Sequence, residues 1–463
     1  MYNEFPYNFI IQGEIVLNIF KSKKKADSIF MNGNIYKGYG FNDTVEAVAI
    51  KDGLIIALGD YDEMEELINE DTLIVDLEGK YVLPGFINFN NDSVLETFFE
   101  QYIHLDESMS LEEIIDSIEG MSYYYDQRDI IFGYGYSENA FNEFKNEDII
   151  KRLDEISQSK PVLLVSSNNM ECVYNSVAKN IILGTAEEEV VEIITLPYIL
   201  NLLIPYDFAE IMEKVTNINN NAKEKGFTTL CNVKSPYFFD EVFENALLDL
   251  YNEGNLNFKY QGSFYINRQY NLKYIKYMIG KLRTNCSELS NYIEHDILFI
   301  DMNKHMKANW LSEVFKYCEE VKINIQIECS KDEELNEVIS AFDSSKMSET
   351  SNLTVIYNGG DVESFVPFKI IYSQRKAFDK TVDLIKDRTE KGAEVIGADE
   401  ILGVIQEGYV ADFAIFDECP LEKKPSDFLK MNTSITVING EMVYNEEKER
   451  DDEWYDIFSG TPL

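Results

Sequence analysis

The sequence predicts an α/β protein, an imperfect (β/α)8 barrel with a small β-sandwich domain built from both chain ends, and three observations predict it. The length of 463 residues suits one large barrel with an accessory domain. Continuous apolar runs alternate with amphipathic stretches through the middle of the chain, as parallel strands buried on both faces alternate with helices. Short β-branched runs separated by Asn-Gly and Asp-Gly occur near both termini.

Taken in order, residues 26 to 79 read as a β-meander. Ser28 to Met31 is followed by Asn32-Gly33, and Val45 to Ile50 by Asp52-Gly53 and Leu54 to Leu58. Both dipeptides tolerate the positive φ of a type I′ turn, so each predicts a hairpin. Ser110-Leu111-Glu112-Glu113 reads as a capping box opening a helix, whose apolar face is Ile114, Ile115 and Ile118 and which Gly120 should stop. A second amphipathic helix carries Val242, Phe243, Ala246, Leu247 and Leu250. The runs Pro161 to Val165, Phe227 to Val233, Ile297 to Ile300, Ile323 to Ile327 and Leu353 to Tyr357 are the expected barrel strands. Between Asn358 and Thr381 the chain is short, so one βα unit is expected to be missing or reduced. Ala411 to Phe416, Ile435 to Ile438, Asn439-Gly440 and Met442 to Tyr444 return to the β texture. The expected domains are 1–84 with 395–463 as one discontinuous β-sandwich, and 85–394 as the degenerate barrel.

Composition narrows the function classes. Acidic residues number 83 against 41 basic ones, a net charge of −42. A field of that sign repels polyanions, which argues against nucleic acid and against an anionic membrane surface. The basic run Lys21 to Lys25 reads as a solvated turn beside an N-terminal strand-like segment. The 6 cysteines contain no C-x-x-C pair, so neither a thiolate zinc site nor a disulfide framework is indicated. No leader pattern opens the chain and no run of 18 apolar residues occurs in it, so a cytoplasmic location is the expectation.

Val75-Asp76-Leu77-Glu78-Gly79-Lys80-Tyr81-Val82-Leu83-Pro84-Gly85-Phe86-Ile87-Asn88 resembles the run that enters the barrel in the amidohydrolase superfamily. Gly403-Val404-Ile405-Gln406-Glu407-Gly408-Tyr409-Val410-Ala411-Asp412-Phe413 is similar to the segment by which those chains return to their small sheet domain. Gly133-Tyr134-Gly135-Tyr136-Ser137-Glu138, Tyr174-Asn175-Ser176 and Gly226-Phe227-Thr228-Thr229 resemble amidohydrolase family 3, the branch that includes N-substituted formamide deformylases. The resemblance implies a barrel hydrolase of non-peptide C–N bonds, with one or two divalent metals held by imidazoles, a carboxylate and in some members a carbamylated lysine.

This sequence departs from the pattern at the ligand positions. His-x-His is expected after the first run, and Asn90-Asn91-Asp92 stands there. The next two histidines correspond to Glu328 and Asn358, the lysine to Ile297, the last carboxylate to Gln374, and a substrate-side Gly-His to Asn169-Met170. The chain has 3 histidines, His104, His295 and His305, none of them at a ligand position. His295 and His305 are ten apart, a spacing that suits neither a strand pair nor a helical pair of ligands. The expectation is therefore an amidohydrolase-like protein that has lost catalytic metal binding, a pseudoenzyme with no metal or other cofactor.

Asn90, Asp92, Glu328 and Asn358 then form a solvated polar mouth, which if intact as a site would suit Mg²⁺ or Ca²⁺. The first alternative is an active hydrolase of N-formyl or N-acyl amines using such a hard metal. The second is an acidic scaffold or interaction protein. No G-x-S-x-G elbow, phosphate loop or H-E-x-x-H is present, and Cys329 lacks a histidine in any motif to activate it. A small-molecule ligand and an oligomeric assembly remain as expected partners.

Overall fold

The computed structural model describes residues 25–38, 43–89, 102–124, 130–137, 140, 143–144, 146–157, 159–166, 172–185, 199, 202–203, 208–232, 237–266, 271–285, 293–302, 308–329, 331–348, 353–357, 368–372 and 378–449. It is a mixed α/β structure. The N-terminal strands are β1 (Ser28–Met31), β2 (Asn34–Tyr36), β3 (Thr44–Val45), β4 (Ala47–Lys51), β5 (Leu54–Gly59), β6 (Leu73–Asp76) and β7 (Tyr81–Pro84). They divide between two sheets: β5-β4-β1-β6 forms one, while β2, β3 and β7 join three strands from the far end of the chain in the other.

Asp52 and Gly53 both take positive φ, 51° and 75°, and close the β4–β5 hairpin in which Lys51 faces Leu54. The Asn32-Gly33 expectation fails. Asn32 is left-handed at φ 56°, but β1 pairs with β4 and β6 while β2 pairs with β3 and β7. Gly33 is required for space instead, since a Cβ there would collide with the Leu77 side chain.

β8 (Phe86–Asn88) leaves this region and enters the central sheet. Between it and the next strand of that sheet the chain builds a separate unit from β9 (Ile103–His104), β10 (Ile131–Tyr136), β11 (Val162–Ser166) and β12 (Cys172–Tyr174), in the order β12-β11-β10-β9. The run Pro161 to Val165 thus belongs to this smaller sheet, with β12 antiparallel at its edge. The capping box at its first helix, Leu111–Tyr124, forms: Ser110 N–H donates to Glu113 Oε2 at 2.8 Å. The helix passes through Gly120 to Tyr124, because a glycine costs a helix interior about 1 kcal/mol and does not by itself end it.

The central sheet continues with β13 (Phe227–Asn232), β14 (Lys259–Ile266), β15 (Ile293–Asp301), β16 (Asn324–Cys329), β17 (Leu353–Tyr357) and β18 (Lys369–Tyr372). Among the described residues its seven strands are all parallel, in the order β18-β17-β16-β15-β14-β13-β8, and they curl into a half-barrel. Helices Tyr237–Asn252, Leu272–Asn285, Ala308–Val321 and Asp332–Ser345 make the crossovers from β13 to β17. Leu298, Ile300, Ile325, Ile327 and Val355 pack outward against Leu311, Val314, Phe315, Val338 and Phe342 of those helices. That layer explains the near-continuous apolar runs. Among the described residues no helix is long and apolar enough to cross a membrane.

After helices Thr381–Arg388 and Glu390–Val395, β19 (Phe413–Phe416), β20 (Ile435–Ile438) and β21 (Glu441–Asn445) complete the six-stranded sheet β21-β20-β19-β7-β2-β3. Asn439 and Gly440, at φ 51° and 79°, close the β20–β21 hairpin as their sequence predicts. The two resembling motifs meet here. Phe413 lies opposite Pro84, and Gly85 N–H donates to Asp412 O at 2.8 Å. Gly85 sits where the chain passes from one sheet to the other, and a Cβ would collide with the Thr228 side chain.

Candidate functional site

Side chains alternate across a strand, so the helix-facing set on each central strand leaves a second set on the concave face. On β15 that set begins with Ile297 and Phe299, which cluster with Ile87, Cys231, Ile396, Ala398 and Leu402. On β16 it is Asn324, Gln326 and Glu328, since Ile325, Ile327 and Cys329 belong to the outer layer. On β17 it includes Ile356. The concave face is therefore apolar on β15 and polar on β16. Helix Glu390–Val395 packs against it through Ala393, and the segment that follows through Ile396, Ala398 and Leu402.

Glu328 is half-buried near the C-terminal end of β16, directly opposite Asp301 on β15 and Ile356 on β17, with its carbonyl accepting from Met302 N–H at 2.9 Å. This is the edge of a parallel α/β sheet at which sites are built. Cys329 is fully buried and faces the helices, away from Glu328. Beyond it, Tyr357 Oη donates to Asp332 Oδ1, tying the end of β17 to the start of helix Asp332–Ser345. Asn90, Asp92 and Asn358 lie outside the described residues, as do Gln374, Asn169 and Met170. Ile297 is buried on the concave face, in the place the resemblance assigns to lysine.

Gln326, one pleat below Glu328, is the residue that sequence reasoning missed. It is 1% exposed, and its Nε2 donates to Val395 O at 2.6 Å while its Oε1 is buried without a hydrogen-bond partner among the described residues. Thr229 Oγ1, on the same face of β13 as Cys231, is likewise buried and unpartnered among the described residues. A glutamine inside an apolar β16 pattern, Asn-Ile-Gln-Ile-Glu-Cys, was the available signal.

The imidazoles are dispersed. His104 is exposed in the four-stranded sheet, with its ring 5.2 Å from that of Tyr134. His295 lies opposite Gly262 in the early part of β15, six positions before Asp301. His305 falls in 303–307, outside the described residues. Among the described residues no group of three or more His, Cys, Asp or Glu side chains converges as metal ligands would.

The family-like fragments of the middle region have structural work. Asn175 is fully buried; its Oδ1 accepts from Val162 N–H and Ala178 N–H, each at 3.0 Å, and its Nδ2 donates to Lys160 O at 3.0 Å. It ties β11 to the start of helix Ser176–Thr185. Gly226, at φ 74°, turns the chain from helix Phe208–Glu224 into β13 where a Cβ would come within 2.7 Å of Ala414 Cβ. Burial pushes the Arg388 guanidinium down from its ordinary value, opposed by Asp387, and the guanidinium lies over the rings of Phe227 and Phe428.

No family model matches the chain. In sequence it is 24% identical over 170 residues to the exoenzymes regulatory protein AepA of Pectobacterium carotovorum, a match covering 36% of this chain and 37% of that one. It is 26% identical over 140 residues to the putative amidohydrolase YtcJ of Bacillus subtilis, covering 30% of this chain and 26% of that one. To the N-substituted formamide deformylase of Arthrobacter pascens it is 23% identical over 158 residues, 34% of this chain and 29% of the relative. The matched stretches therefore span well under half of these relatives' lengths. Among solved structures, an uncharacterized metal-dependent hydrolase from Pyrococcus horikoshii superposes with a TM-score of 0.53 at 15% identity, covering 86% of this chain and 99% of that chain. One from Pyrococcus furiosus gives 0.51 at 15% identity, covering 85% and 100%. The chain is thus similar in fold to these two metal-dependent hydrolases.

Proposed function

We propose that this chain is an amidohydrolase-like protein, built like hydrolases of non-peptide C–N bonds, that has lost an imidazole-held metal centre and keeps the polar mouth of its barrel as a small-molecule pocket. The observation that carries this reading is the disposition of the 3 histidines. His295 stands six residues before the end of β15, about 20 Å from the C-terminal edge at ~3.3 Å per residue. His104 is in a different sheet. The third, His305, lies outside the described residues. Catalytic zinc sites draw on two or three imidazoles or thiolates. The residues among those described do not fit such a centre.

The same reading takes residues 85–394 as an imperfect (β/α)8 barrel interrupted by the β9–β12 unit, and 1–84 with 395–463 as one discontinuous β-sandwich. What supports the sandwich is a shared core, in which Phe30, Val48 and Ile55 of one sheet pack with Ile35, Val82 and Phe413 of the other. Two of the relatives are named for hydrolysis at C–N bonds, and the fold likeness is to hydrolases.

An active hydrolase holding Mg²⁺ or Ca²⁺ on oxygen ligands has one point of support, the half-buried Glu328 near the C-terminal edge. Melting with and without each ion separates the two. A site predicts a rise that Glu328→Ala and Asp92→Ala abolish, because binding stabilises only the state that holds the ion. Screening of a −42 charge predicts a rise that survives both substitutions, and this is the expected result. A rise lost in both variants, with ion-dependent hydrolysis of an N-formyl amine, would refute the loss of function.

A further inference from the structure

We propose that the outer edge of β6 is the docking surface for the chain's own residues 14–20, which add to it as an antiparallel strand. β6 ends its four-stranded sheet, and among the described residues no strand pairs with its outer side. Leu73 N–H donates to Asp27 O and Leu77 N–H to Met31 O, each at 2.8 Å. Backbone groups alternate sides along a strand, so those of Ile74 and Asp76 point outward. Leu73 is 53% exposed and Ile74 36%, although both are large and apolar. An apolar edge of this kind is a template for another strand, and native folds cover it.

The occupant follows from where the chain enters the sheet. Lys25 Nζ donates to Glu66 O at 3.0 Å and to Ile68 O at 3.2 Å, Ala26 N–H to Leu67 O at 2.9 Å, and Thr72 Oγ1 to Ala26 O at 2.8 Å. The first described residues therefore lie at the end of β6 where Leu73 begins it. β1 starts from that same end and runs parallel to β6. A preceding strand on the outer side of β6 must then be antiparallel to it. Such a strand would stand two strand spacings from β1, about 10 Å. The chain from Phe20 to Lys25 can reach about 17 Å, which is enough.

Side-chain chemistry and charge favour the same occupant. β6 needs an apolar neighbour on both faces, since Leu73 and Val75 share the face of Phe30 while Ile74 shares that of Ile29. In Glu14-Ile15-Val16-Leu17-Asn18-Ile19-Phe20, strand periodicity puts Ile15, Leu17 and Ile19 on one face and Val16 and Phe20 on the other. Lys21, Lys23 and Lys24 join this run to Lys25. The segment that Lys25 and Ala26 contact carries Glu65, Glu70 and Asp71, all exposed and opposite in charge to those lysines. A second copy would instead bring the same acidic surface and a further net charge of −42, and repulsion disfavours it.

The test is amide hydrogen exchange on the full chain, resolved by residue with mass spectrometry. In the wild type the Ile74 and Asp76 amides should exchange slowly, as Leu73 and Val75 do, at every protein concentration. Leu17→Pro breaks the added strand, and should speed exchange at Ile74 and Asp76 about tenfold or more, because an unpaired edge opens at almost no cost. Leu73 and Val75, bonded to β1, should stay slow. In the reverse direction Ile74→Pro, a substitution that an edge strand tolerates, should speed exchange in residues 15–20. Circular dichroism and slow exchange in β1 and β4 verify that each variant is folded. If Ile74→Pro does not fold, Leu17→Pro decides alone. Fast exchange at Ile74 and Asp76 in the wild type overturns the proposal. Protection that survives Leu17→Pro overturns it in favour of another segment, and protection lost on dilution overturns it in favour of a second copy.

Discussion

Lys259 at the start of β14 and Asp412 just before β19 form a buried ion pair, with Nζ 2.7 Å from Oδ2 and side chains 7% and 4% exposed. The other carboxylate oxygen of Asp412 accepts from Asn439 N–H at 2.9 Å, and its backbone carbonyl accepts from Gly85 N–H. One aspartate thus ties the half-barrel, the β20–β21 turn and the switch from β7 to β8. It lies at the N-terminal end of the sheet, the end associated with stability in such folds.

Removing one partner leaves the other charge buried and uncompensated, so Asp412→Ala should cost about 3–5 kcal/mol. The double variant Lys259→Met with Asp412→Leu should recover much of that loss, because the remaining orphan is a single amide. A double-mutant cycle by urea unfolding checks both. A double variant no better than the single one would show that the Asn439 contact to the Asp412 carboxylate dominates.

The capping box gives a pH signature. Hydrogen bonds from the Ser110 backbone N–H and then from its hydroxyl hold the Glu113 carboxyl below its ordinary range. A carboxyl depressed in the folded state stabilises above its unfolded pKa, about 4.3, and loses that contribution as pH falls through the folded value. Glu113→Ala should therefore melt below the wild type at pH 7, and the difference should shrink as the solution is acidified below about pH 4. A difference that stays constant to low pH would contradict the assignment.

Two glycines should respond in opposite directions. Gly440 needs φ 79°, and a Cβ there would lie 2.7 Å from Ile50 Cγ2, so Gly440→Ala should destabilise by about 1–3 kcal/mol. Gly120 is exposed within helix Leu111–Tyr124 with nothing within 4 Å of a Cβ, so Gly120→Ala should stabilise by about 0.5–1 kcal/mol. Urea midpoints of the two variants against wild type read the signs directly.

Local chemistry was legible in the sequence wherever a few adjacent residues decide the outcome. Asp52-Gly53 and Asn439-Gly440 make their turns because both positions accept positive φ, and Ser110 with Glu113 caps its helix within one turn of chain. The apolar runs of β13 and β15 to β17 announced strands covered on both faces, and the two motifs at Val75 to Asn88 and Gly403 to Phe413 announced a mixed α/β fold with a curled parallel sheet. Tertiary structure alone decided which strands share a sheet. Hydrophobic periodicity reports burial and not the identity of the neighbour, so β11 went to the smaller sheet, and the chain from β1 to β2 crossed between sheets at Asn32-Gly33. The same holds for the candidate site. Glu328 was readable by resemblance, but the Gln326 amide is oriented by Val395, distant in sequence, which takes its nitrogen and leaves its oxygen without a partner among the described residues, and Lys259 finds Asp412 only once the half-barrel is closed onto the terminal strands.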